Sequence, residues 1–78
     1  MMIGDIELRI ARELGANAYR IHAYRRGMYI ADLVGYINHR ARTVKCYPAR
    51  ILVNGNNLRF PIVVSLCDIP WEKKTEVN

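Results

Sequence analysis

The stretch "IARELGANAYRIHAYRRG", Ile10 to Gly27, decides the fold, because it satisfies two templates at once. With a period of 3.6, Ile3, Ile6, Ile10 and Leu14 form one helical stripe ahead of Gly15, and Asp5 and Glu7 sit near its start, where a helix dipole favours acids. Asn17 can then cap a second helix over Ala18 to Arg26, its side-chain oxygen accepting an orphan amide of the first turn, and Gly27 closes it. With a period of two, Tyr19, Ile21 and Ala23 alternate with Arg20, His22 and Tyr24 as in a half-buried strand. Periodicity alone leaves residues 18–26 open to both readings.

Further along, Ile30, Leu33, Val34 and Ile37 recur at helical spacing, with Asp32 in the first turn and Arg40 and Arg42 in the last, which predicts a helix over Tyr29 to Ala41. From Thr43 the pattern alternates. Tyr47, Ala49, Ile51 and Val53 fall on one face, then Leu58, Phe60, Ile62, Val64 and Leu66 follow the turn "NGNN", predicting a β-hairpin. Pro48 and Pro61 cannot donate to a ladder and belong at edges or outward-facing positions. The expected fold class is therefore α+β, two or three N-terminal helices followed by a C-terminal β-hairpin. One small domain over residues 1–69 and a flexible tail over 70–78 account for the 78 residues.

The net charge of +5 is clustered: Arg20 to Arg50 carries seven basic residues against the single acid Asp32. Such a segment suits an anionic partner, although any one arginine alone reads as solvated surface. No apolar run reaches the roughly 18 residues that span a bilayer, and acids stand where a secretory signal carries positive charge, so no membrane partner and a cytoplasmic location are expected. Cys46 and Cys67 match no metal-ligand spacing and are not grouped with His22 or His39, which predicts no metal, no cofactor and two buried free thiols. Ser65, the two cysteines and the two histidines lack a supporting nucleophile motif. His22 with Asp32 makes a general-base pair on paper, but an exposed histidine on a basic helix is more often polar surface, and no enzyme is expected.

A helix-turn-helix needs a small residue where its helices cross, a glycine-like turn four residues later and an aliphatic six beyond. Ala11, Gly15 and Ile21 meet those needs, with Leu14 completing the packed face. On these residues, and on "YRRG" at Tyr24 to Gly27, the segment resembles the helix-turn-helix of phage Cro and related small repressors. The resemblance implies a DNA-binding transcriptional regulator that contacts double-stranded DNA through Asn17, Tyr19, Arg20 and His22, with Arg25 and Arg26 as backbone clamps. Three helices before a hairpin are also similar to a winged helix, with "VNGNNLR" as the wing and His39, Arg40, Arg42 and Arg59 joining the DNA face. A homodimer through the hairpin is a further option. The rival reading is an accessory or inhibitor protein of a phage or mobile element, docking on an acidic surface of a larger host complex through its interleaved tyrosines and arginines.

Overall fold

The computed structural model describes residues 2–52 and 57–73, and all of its regular elements are strands. They are β1 (Met2–Ile3), β2 (Ile6–Gly15), β3 (Ala18–Arg25), β4 (Met28–Asn38), β5 (Thr43–Ile51) and β6 (Ile62–Ser65), paired in chain order as one antiparallel sheet. β1 is a two-residue edge, and the five longer strands curl into a half-barrel.

The decisive residue is Leu8. A helix carrying Ile6 and Ile10 inward would turn Leu8 to its opposite side, whereas a strand sets all three on one face. Ile6, Leu8 and Ile10 are all buried, and Leu14, the end of the supposed helical stripe, is 42% exposed. Ile21 and Ala23 from β3, Ala31 and Leu33 from β4, Val44 and Cys46 from β5 and Val64 from β6 complete the inner face. Ile69 plugs it from the C-terminal side, and Leu58, Phe60, Ile62 and Leu66 pack around it.

No helix exists among the described residues, so the helices expected at the N-terminus, over Ala18 to Arg26 and over Tyr29 to Ala41, give way to β2, β3 and β4, and with them the helix-turn-helix and winged-helix architectures. Three features produced the helical spacing. Gly27 does reverse the chain in the left-handed region (φ 80°), but with Arg26 (φ 51°) it makes a two-residue hairpin turn between Arg25 and Met28 rather than a helix cap. Gly15 merely ends β2, and Ala16 and Asn17 form the turn to β3. A register shift beside Ile30 puts Ile30 and Ala31 inward together, so Ile30 and Leu33 are buried three residues apart on a strand.

The pairing of β5 with β6 is present, from Thr43 opposite Ser65 to Cys46 opposite Ile62. Its facing is reversed in the first strand. Cys46 is buried while Tyr47, Ala49 and Ile51 are exposed, because β5 carries apolar residues on both sides. Val53 and most of the "NGNN" turn lie outside the described residues. Both cysteines are free thiols, but only Cys46 is buried, its pKa pushed up to about 11 by desolvation, and Cys67 is exposed. Pro70–Glu72, assigned to the tail from sequence, run along β2 instead: the Ile10 amide donates to the Pro70 carbonyl at 2.8 Å and the Glu72 amide to the Ile10 carbonyl at 2.8 Å. Trp71 stands edge-on to Tyr19 at 5.6 Å between ring centres. No helix among the described residues is long and apolar enough to cross a membrane.

Candidate functional site

Side chains that do not point into the core share the outer face, and the strand register arranges them in rows. Arg9 stands opposite His22, His22 opposite Asp32 and Asp32 opposite Arg50. In the next row Arg12 faces Arg20, Arg20 faces Val34 and Val34 faces Tyr47. Beyond it Tyr36 faces Lys45, which faces Val63. On the other side Glu7, Tyr24 and Tyr29 align.

The centre is His22. Its Nδ1 lies 2.8 Å from Glu72 Oε2 and its Nε2 3.3 Å from Asp32 Oδ1. Each carboxylate also accepts a phenol: Tyr24 donates to Glu72 Oε1 and Tyr29 to Asp32 Oδ1. Burial pushes both phenols up to about 12, and the adjoining carboxylates add to the shift by holding the protonated form. Arg9 caps the cluster, its guanidinium 4.6 Å above the Tyr24 ring while it forks the Glu7 carboxylate at 2.8 and 3.1 Å. The hydrogen bond from Arg9 holds Glu7 below the usual carboxylate range. The Glu72 arm of the network exists only because the C-terminal strap carries Glu72 onto β2.

Two open depressions flank this centre. One, of about 670 Å³, is walled by Tyr24, Tyr29, Glu72 and Lys73. The other, of about 410 Å³, is lined by Arg12 and Arg20, and both include Ala11, His22 and Asp32. Beside them stand Tyr36 and Tyr47, 52% and 40% exposed and edge-on to each other at 5.9 Å. No ion pair among the described residues engages Arg12, Lys45 or Arg50, whereas Arg20 reaches Asp32 at 3.8 Å. No group of three or more His, Cys, Asp or Glu side chains among the described residues is arranged to hold a metal.

The residues expected to form one DNA face are dispersed. Asn17, Arg40 and Arg42 lie in two neighbouring turns at one end of the sheet, joined where His39 Nε2 meets Asn17 Oδ1 at 2.7 Å. Arg25 and Arg26 lie at the opposite end, roughly 23 Å away along β3 at about 3.3 Å per residue. Tyr19 turns inward onto the core, and Arg59 is exposed in the segment before β6. Only Arg20 and His22 occupy the outer face. The sequence reading missed Arg9, Arg12 and Glu72. It paired Asp32 with His22, counted Lys45 and Arg50 in the basic cluster and set Tyr24, Tyr29, Tyr36 and Tyr47 among the tyrosines of the rival protein-docking reading, without placing them on one face. The alternation Arg20, His22, Tyr24 within the opening stretch was nevertheless the signal that pointed to that face.

No family model, curated protein or solved structure matches the chain.

Proposed function

We propose that the protein binds single-stranded nucleic acid across the outer face of its sheet. The observation that carries the reading is the register, which sets two exposed tyrosines, Tyr36 and Tyr47, on the same face as Arg12, Lys45 and Arg50, with Tyr36 directly opposite Lys45, and no acid of the described fold pairs with these three cations. Guanidinium and ammonium groups neutralise phosphates, and exposed rings stack on bases. Stacking needs bases that are unpaired, which favours a single strand over a duplex. The +5 charge supplies attraction at a distance. Two free thiols accord with a cytoplasmic setting, which belongs to this reading.

Fluorescence anisotropy with a labelled single strand over a range of salt concentrations tests it. Log affinity should fall linearly with log salt. Arg12→Ala and Lys45→Ala should each flatten that slope by about 0.7, the value per phosphate released from a single strand. Tyr36→Ala and Tyr47→Ala should each cost roughly 1–3 kcal/mol with the slope retained. Absence of salt-dependent binding refutes the reading. It would favour a protein partner at β6, which carries the exposed Val63 and whose outer edge bears no paired strand among the described residues.

A further inference from the structure

The two depressions meet at Ala11, His22 and Asp32, and their chemistry changes from one end to the other. Arg12 and Arg20 line the smaller one, and the Arg20 Nε is buried with no hydrogen-bond partner. The larger one has aromatic walls, Tyr24 and Tyr29, and its polar lining combines two carboxylates, Asp32 and Glu72, with two cations, Arg9 and Lys73. Ala11 lies in the register irregularity between Ile10 and Arg12, where its single methyl group takes up little of the space between the two.

A groove with two guanidinium groups fits a phosphate. A walled pocket that offers acceptors beside donors fits a flat ring whose edge carries both. Guanine presents N1–H and N2–H₂ as adjacent donors and O6 and N7 as adjacent acceptors, the second pair being the usual target of arginine and lysine. Thymine and uracil flank a single N–H with two carbonyls and would set oxygens against the carboxylates. Asp32 has acceptor capacity to spare: Oδ1 takes Tyr29 and faces His22, while Oδ2 faces only Arg20, at 3.8 Å. The volumes, about 670 and 410 Å³, lie in the range of small-molecule sites.

We infer that the larger pocket takes one guanine of the bound strand, with the adjoining phosphate on Arg12 and Arg20. This rests on the nucleic-acid reading above. It is tested with labelled oligothymidine of about ten nucleotides, within the usual length of a single-strand site, and with the same strand carrying one central guanine, adenine or cytosine. The guanine strand should bind about tenfold more tightly than the other three, and Asp32→Asn should abolish that preference. Equal, salt-dependent affinity for all four strands, or preference for another base, overturns the guanine pocket and leaves the face standing. Failure of every strand to bind overturns both.

Discussion

Gly35 shows what a single residue can decide here. A Cβ at this position would lie 2.5 Å from Ile21 Cδ1 and 2.6 Å from Val44 Cγ1, so side chains of β3 and β5 meet across β4 only because residue 35 has none. Gly35→Ala should cost about 1–3 kcal/mol, the usual penalty of overpacking. Thermal melting followed by circular dichroism would show it as a fall of several degrees, at about 4–8 °C per kcal/mol for a domain this small. The role of Gly35 was not legible beforehand, because close approach of two distant strands leaves no local mark. Gly27 was legible as a chain reversal. A left-handed glycine serves a hairpin turn as well as a helix cap, so the residue marked the reversal without naming the elements on either side.

Among the elements, β2 separates the two periodicities most sharply. Leu8→Ala empties a fully buried site and should cost about 2–5 kcal/mol in urea unfolding, whereas Leu14→Ala, on the exposed end of the strand, should stay within about 0.5 kcal/mol. A helix with the stripe Ile6, Ile10 and Leu14 predicts the reverse order. The inward alternation of Ile62, Val64 and Leu66 was readable because no bulge interrupts it. Elsewhere the phase slips, beside Ala11 on β2, Ile30 on β4 and Ala49 on β5, and each slip turns period two into a spacing of three. Apolar residues on the outer face, Val34, Tyr36 and Tyr47, blur the pattern further. The outer-face site was hidden for the same reason, since its members share a face only once the correct register is known.

At the scale of the whole molecule, the network around His22 ties the C-terminal strap to the middle of the sheet. Tyr24 and Tyr29 are neutral hydrogen-bond donors in it, with folded-state pKa values pushed from 10 to about 12. A raised pKa means that the fold favours the protonated phenol, so this stabilisation is complete below about pH 10 and is lost as pH climbs toward 12. Urea unfolding at stepped alkaline pH, with phenolate absorbance read in parallel, should show stability falling across that window. Replacing both residues by phenylalanine should remove their share of the fall. Asp32 is close enough to His22 in the chain for the sequence to pair the two, whereas Glu72 lies 50 residues beyond His22, which is why no local motif announced it.

That separation also orders events in time. The hairpins β2–β3, β3–β4 and β4–β5 join neighbouring stretches, whereas the strap must return to β2 across most of the chain. Closing a long loop costs more entropy than closing a short one, so the hairpins of the meander are expected to form before the strap docks. Contacts made only on the native side of a barrier leave the rate of folding alone and slow the way back. A strap that docks late would slow unfolding, so Pro70–Glu72 are expected to lengthen the lifetime of the folded half-barrel.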